Sequence, residues 1–389
     1  LVGIAVHVGA LKTGWDQVRN NKSGRDFASY YWAVHAADAG LDPYDKADLG
    51  ALSKERGGRR AVHPFFYPPP FVLALQWVKP LDLGAAYRAW FWIDVGALLA
   101  ALLALWKTKP REPVLICAAV LLAAWTPAVN NHVMGQANLP VLALTLLGVL
   151  SAEQQGWRSW TGGALVGVAA MLKMSPGLLV VWWLVRGRWK PALAACGVAV
   201  ALSLASLPVV DLDTQLRFYT EILPSFGSGE YGGLTVPVSL FGNHSIPNLW
   251  AQLWPAADGL STRAQWASTA TNGALVVAAF VWLRKPSDPL AALGGLSVLM
   301  VVIPVYAYEH HVVACWPAWA AVAVALWQRR LHWGWLVALV PALVVQCWTI
   351  ASWKAMALDQ GPALHWVFQE AKFAALCIVG LASMLCARR

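Results

Sequence analysis

Apolar runs alternate with short polar connections along almost the whole chain, and the runs read as membrane crossings rather than as core helices of a soluble domain. They fall near 84–106, 113–126, 138–151, 159–173, 177–186, 191–210, 268–283, 290–307, 312–328, 333–350 and 369–387. A further run at 1–12 is shorter than the roughly 20 residues a crossing needs, and it reads as the end of a helix that begins upstream. Basic residues supply a check on the alternation. Lys107, Lys109 and Arg111, then Arg158, then Arg186, Arg188 and Lys190, then Arg284 and Lys285, then Arg329 and Arg330, and finally Arg388 and Arg389 stand at every second connection. Cations mark the cytoplasmic side, so this spacing makes about twelve crossings self-consistent. The opposite face receives 16–76, 127–138, 173–176, 211–269, 308–311 and 352–368. Of these, 16–76 and 211–269 are long enough to carry structure of their own, and loops of that size are usually functional. The expectation is an all-α polytopic membrane protein with one domain, 1–389, whose working face is extracytoplasmic.

Composition agrees. Of 389 residues, 58% are hydrophobic and 13% charged, against roughly 25% charged in a soluble domain. The net charge of +9 sits in clusters between apolar runs, where it reports orientation rather than a nucleic-acid partner. Many of the 24 tryptophans fall near helix ends, as an interfacial belt would place them. The six cysteines stand apart in apolar segments without a CxxC pair, and read as buried free thiols.

The most polar and information-rich stretch is 24–45, GRDFASYYWAVHAADAGLDPYD. Asp26 and Tyr30 stand at i and i+4, so a carboxylate and a phenol share one helix face, with Tyr31 beside them. The helix should end near Gly40; Asp42-Pro43 then forces an extended turn, and Asp42 and Asp45 suit capping as well as sugar hydroxyls. Downstream, His63 opens a segment in which Tyr67 directly precedes Pro68-Pro69-Pro70, and Phe71 to Val78 is too short to cross a bilayer. That element reads as interfacial or re-entrant.

Three more polar groups face the same side. Asn130, Asn131, His132, Gln136 and Asn138 end one apolar run and open the next, where they suit helix caps or hydrogen bonds to sugar or phosphate. Lys173-Met-Ser-Pro176 puts a cation on the cation-poor face; the ammonium either snorkels or balances a lipid-linked phosphate. Glu309-His310-His311 pairs an acid with two imidazoles, a better basis for proton transfer than for metal, since no third ligand accompanies them. Asp211-Leu-Asp213 has the DxD form of nucleotide-sugar enzymes but opens a loop away from nucleotides, so it is taken as chance. The chain has no GxxxxGK[ST], GxSxG or HExxH, which removes P-loop, α/β-hydrolase and zincin chemistry. Synthesis on the outer face then needs an activated substrate, and a polyprenyl-phosphate sugar meets that need.

Read in order, Asp26-Phe27 with the paired tyrosines, Gly40-Leu-Asp-Pro-Tyr-Asp45, Phe66-Tyr-Pro-Pro-Pro70, Gly135-Gln-Ala-Asn138, Leu172-Lys-Met-Ser-Pro176 and His310-His311 resemble glycosyltransferase family 87. That family holds polyprenol-phosphate-mannose-dependent α-1,2-mannosyltransferases and an arabinofuranosyltransferase of mycobacterial glycolipid synthesis. In 211–267 the likeness rests on Gly242-Asn243-His244-Ser245, where the family tends to have Asn-Gln-Ser. The resemblance implies a GT-C fold in a bacterial inner membrane, with amphipathic periplasmic helices in the first loop. It also implies inverting, metal-independent transfer with no cofactor, from a polyprenyl-phosphate sugar to a glycolipid or glycan acceptor. Asp26 takes the place of the family's essential acid, and His310 or His311 that of its late histidine. Substrate contacts are then expected from Tyr30, Tyr31, Asp42, Asp45, His63, Tyr67, His132, Gln136, Asn138, Lys173, Asn243 and His244. The rival reading is a flippase or transporter for a lipid-linked sugar, which needs no base; the sequence lacks the inverted repeats common in such proteins.

Overall fold

A computed structural model describes residues 9, 12–16, 24–57, 62–108, 125–230, 236–358 and 360–388. The described residues are helical and contain no strand. In the first loop, α1 (Arg25–Asp38) starts after Gly24 and stops before Gly40, both glycines at positive φ; the stop is where the sequence leads one to expect it. Helix α2 (Lys46–Glu55) is capped by Asp45, whose carboxylate accepts from the Ala47 and Asp48 amides. The prolines open α3 (Pro69–Ala74) instead of interrupting it, because Pro at the first helical positions gives up an amide that would have no partner.

The rest is a bundle. Its first members are α4 (Leu83–Thr108), α5 (Thr126–Met134), α6 (Asn138–Ala152), α7 (Trp157–Leu172), α8 (Gly177–Val185) and α9 (Trp189–Ala205). After the short α10 (Leu212–Arg217) and α11 (Ile246–Leu253) come α12 (Thr262–Trp282) and α13 (Pro289–Val302). A 3-10 turn, Glu309–Cys315, leads into α14 (Trp316–Trp327), followed by α15 (Leu336–Cys347), α16 (Ile350–Leu358) and α17 (Pro362–Cys386).

Among the described residues three segments are long and apolar enough to cross a membrane: Leu83–Trp106, Glu309–Trp327 and Pro362–Cys386. The bent pairs 126–152 and 333–358 raise that to five if each is one span. The expected crossings at 159–173 and 177–186 are helices of 16 and 9 residues, cut short by the Ser175-Pro176 and Gly187 breaks. Those at 1–12 and 113–126 lie almost wholly outside the described residues. The apolar all-helical bundle fits a membrane protein.

Two cores organise it. One runs through the bundle from Leu98 to Ala387. The other is aromatic, built from Phe27, Tyr30, Phe65, Tyr67, Phe71 and Trp90, and ties the first loop onto the start of α4. Within the bundle, Gly163 and Gly167 let α7 lie against the backbone of α9 at Pro191 and Ala195, where any Cβ would collide. The cysteines depart from expectation. Cys315 and Cys386 are buried, but Cys196, Cys347 and Cys377 are exposed on the outside of apolar helices, where a bilayer would cover them; Cys117 lies outside the described residues.

Candidate active site

The bend between α5 and α6 sets the site. The two helices meet at 120° through Gly135, which is left-handed and packs so closely that a Cβ there would stand 2.6 Å from Cβ of Phe27. This corner turns Gln136 and Asn138 toward a cavity of about 770 Å³ whose wall also holds Asp26, His63, Tyr67, Lys173, Tyr308, His310 and His311. Of the six connections read as extracytoplasmic, five contribute to that wall, at Asp26, Asn130, Lys173, Phe241 and His310. Among the described residues, the clusters of Arg and Lys read as cytoplasmic contribute nothing to it.

The cavity has two kinds of surface. Below the polar end, Val141, Leu142 and Thr145 descend one face of α6, and Ser297, Met300 and Val301 descend one face of α13. Thr145 lies seven residue steps along α6 from Asn138, so this mainly apolar slot reaches about 10 Å below the polar end.

At the polar end the hydrogen bonds run in fixed directions. Tyr30 donates to Tyr67 (2.6 Å) and, at longer range, to Gln136 Oε1 (3.2 Å), Tyr67 donates to the same Gln136 Oε1 (2.7 Å), and Gln136 Nε2 donates to Asp26 Oδ2 (2.7 Å). Burial pushes both phenols well above their usual range, so they remain O–H donors. Helix spacing placed Tyr30 near Asp26; the structure connects the two through Tyr67 and Gln136. Lys173 Nζ donates to Asn138 Oδ1 at 2.6 Å, and its charge is felt by Asp26 and by His310 and His311.

On the facing wall, His311 Nδ1 accepts the Tyr308 amide at 3.1 Å, which leaves the ring proton on Nε2. His310 Nδ1 lies 3.3 Å from Asn130 Oδ1, and its carbonyl accepts from Asn138. The turn is braced by a buried ion pair between Glu309 and Lys372 of α17, and Lys372 also donates to the Trp348 carbonyl at 2.6 Å. Among the described residues no three His, Cys, Asp or Glu side chains gather as a metal site.

The family model for glycosyltransferase family 87 matches residues 65–305, more than half of the chain. The chain belongs to glycosyltransferase family 87. It is 25% identical over 374 residues to a polyprenol-phosphate-mannose-dependent alpha-(1-2)-phosphatidylinositol mannoside mannosyltransferase of Mycolicibacterium smegmatis, covering 86% of this chain and 79% of that protein. It is 26% identical over 300 residues to that organism's corresponding pentamannoside mannosyltransferase, covering 70% of this chain and 65% of the relative. An alpha-(1->3)-arabinofuranosyltransferase of Mycobacterium tuberculosis is 24% identical over 284 residues, which covers 66% of this chain and 62% of the relative. The chain thus spans a little under two thirds of the second and third relatives.

Several expected contact residues of this glycosyltransferase stand away from the cavity, each held by its own packing. Tyr30 is fully buried behind Tyr67, and Tyr31 is buried in the aromatic core, where it donates to the Leu81 carbonyl. Asp42 accepts the Tyr44 amide and pairs with Arg217, fastening the first loop to the second, while Asp45 is spent on the α2 cap. His132 is buried 3.4 Å from Asp94. Asn243 bridges the carbonyls of Val238 and Val305 and accepts the Ala307 amide, so it stitches the second loop to the segment before the histidines. The His244 ring is wholly buried, both its nitrogens without a partner among the described residues; burial, with the charge of Lys372, pushes it down to about 3 and keeps it neutral. The Asp211 of the DxD string caps α10.

Asp94, Tyr308 and Lys372 were missed by sequence reasoning. Asp94 and Lys372 lie inside apolar helices, and an ionisable residue in such a run was the available signal.

Proposed function

We propose that this glycosyltransferase moves mannose from a polyprenyl-phosphate carrier to a hydroxyl of a glycolipid or glycan acceptor, with inversion. The observation that carries the reading is the two-part cavity. An acid, a cation and amides stand at one end, continuous with an apolar slot between α6 and α13 that suits the first isoprene units of the carrier.

Asp26 takes the proton from the acceptor hydroxyl as that oxygen attacks the anomeric carbon from the face opposite the phosphate. The new C–O bond forms as the bond to the phosphate oxygen breaks, and the polyprenyl phosphate leaves with the electron pair. A β-linked donor therefore gives an α-linked product. Lys173 offsets charge on the departing phosphate. The tautomer of His311 supports a role as Nε2–H donor to a phosphate oxygen, in place of the proton relay expected from sequence, with His310 beside it. With the phosphate as leaving group and Lys173 as counter-charge, the step needs no metal.

The reading brings with it a GT-C architecture of about twelve crossings in a bacterial inner membrane, with the cavity on the periplasmic side. Its support is that the cation-poor connections converge on the cavity. Arabinofuranosyl transfer is the second reading, favoured by the nearly equal likeness to the arabinofuranosyltransferase. The test is transfer of label from polyprenyl-phosphate mannose, and separately from the arabinofuranose carrier, to a lipid extract by protein purified into lipid with excess chelator. Label is expected to move from the mannose carrier. Movement from the arabinose carrier alone would overturn the choice of sugar, and movement of a labelled carrier between leaflets without transfer would overturn the enzyme in favour of a flippase.

A further inference from the structure

Asp94 is a carboxylate in the middle of α4 with no exposure at all and no part in the chemistry above. It is nevertheless joined to the cavity. Lys173 Nζ donates to Asn138 Oδ1 (2.6 Å), Asn138 Nδ2 to Asn131 Oδ1 (3.0 Å), and Asn131 Nδ2 to Asp94 Oδ2 (3.0 Å).

The direction of this chain is fixed by groups that have no choice. Asn138 Nδ2 also faces the His310 carbonyl at 3.0 Å, and Asn131 Nδ2 also faces the Gln136 carbonyl at 3.1 Å. A carbonyl only accepts, so each Nδ2 must be the donor and both amides have one possible orientation. Their dipoles then align between a cation at one end and a carboxylate at the other, the arrangement in which each hydrogen bond strengthens the next.

We infer that Asp94 is a positioning residue for Lys173, holding the ammonium at the cavity wall through two aligned asparagine amides. Burying a carboxylate is costly unless it is paired or hydrogen-bonded. Here Oδ1 has no hydrogen-bond partner among the described residues and His132 Nδ1 stands 3.4 Å from Oδ2, so the amide chain and that imidazole are what compensate it. Lys173 also faces Asp26, His310 and His311, but these line the cavity that the substrate must fill. Asp94 is a counter-charge that substrate does not displace.

The inference rests on the proposed role of Lys173 only for its effect on turnover, and the test separates the two. Protein in lipid is treated with a water-soluble amine-acylating reagent, and the rates at Lys173 and at buried Lys372 are read by peptide mass spectrometry. Asp94→Asn keeps shape but removes the charge; Asn131→Leu cuts the chain at its centre. Each is expected to raise the Lys173 rate at least threefold, because a less firmly held ammonium gives up its proton and reacts more readily, and to leave Lys372 unchanged. No change at Lys173, or an equal rise at both lysines, overturns the inference. In the transfer assay, Asp94→Asn is expected to raise KM for the polyprenyl-phosphate donor about tenfold, with the acceptor KM within about twofold, a split that general loosening would not produce. A selective labelling change with unaltered donor kinetics would uphold the positioning and refute Lys173 as the phosphate partner.

Discussion

Two hydrogen-bond chains converge on the polar end of the cavity, and they are built on opposite principles. The chain from Tyr30 through Tyr67 and Gln136 to Asp26 is neutral until its last atom, and every donor points toward the carboxylate. The chain from Lys173 through Asn138 and Asn131 to Asp94 is charged at both ends. The first fixes the geometry of a base, since hydrogen bonds donated to a carboxylate favour its charged form. The second holds a cation where a phosphate would arrive, with a counter-charge out of reach of substrate. The acid and the cation of one cavity are thus each held from behind by a different set of side chains.

Both chains hang on the α5–α6 corner, so the largest effect should come from damaging it. In Gly135→Ala the new Cβ meets Phe27 and Tyr87 in a left-handed backbone. Strain of about 1–2 kcal/mol and overpacking of about 1–3 kcal/mol should lower the denaturation midpoint and disable both chains together. Survival of either function alone would show that the chains are set elsewhere. Lys173→Met breaks only the charged chain: transfer should fall about a hundredfold, as for loss of a preorganised donor at a developing charge, while Lys173→Arg retains part of it. Tyr67→Phe removes the central donor of the neutral chain and should cost about tenfold in kcat, one hydrogen bond to a group that touches the base. Tyr30→Phe removes the longer of the two bonds to Gln136 Oε1 and leaves the Tyr67 bond in place, so kcat should stay within about threefold. If Tyr30→Phe cost as much as Tyr67→Phe, the order of the neutral chain would be wrong.

How much of this was legible in the sequence follows the same division. The neutral chain was nearly readable: Asp26, Tyr30, Tyr67 and Gln136 are polar residues in outer connections or at their ends, and each was singled out. The missing part was their order, because i and i+4 spacing suggests direct contact between Asp26 and Tyr30 and does not reveal that Tyr67 and Gln136 fold in between. The charged chain was half readable. Lys173 and Asn138 lie in connections, whereas Asp94 is one acid in an apolar helix of 26 residues, and its partners depend on the packing of α4 against α5. Lys372, which braces the histidine turn from 63 positions away, was hidden in the same manner. His132, Asn243 and His244 show the converse case: singled out as substrate contacts, they stand in the structure as buried side chains, Asn243 bonded to backbone and His132 beside Asp94. Helix positions were legible from the apolar runs, but Gly and Pro breaks made several helices shorter than the runs suggest.

The most direct measurement is the rate of mannose transfer from polyprenyl-phosphate mannose by purified Asp26→Asn beside wild type in the same lipid, with carrier binding followed in parallel. The account predicts that the variant still binds polyprenyl phosphate but loses about 10²–10⁴ in turnover, the range for removal of a general base. Turnover within about tenfold of wild type would contradict it, because the cavity would then be transferring sugar without the base on which its neutral chain converges.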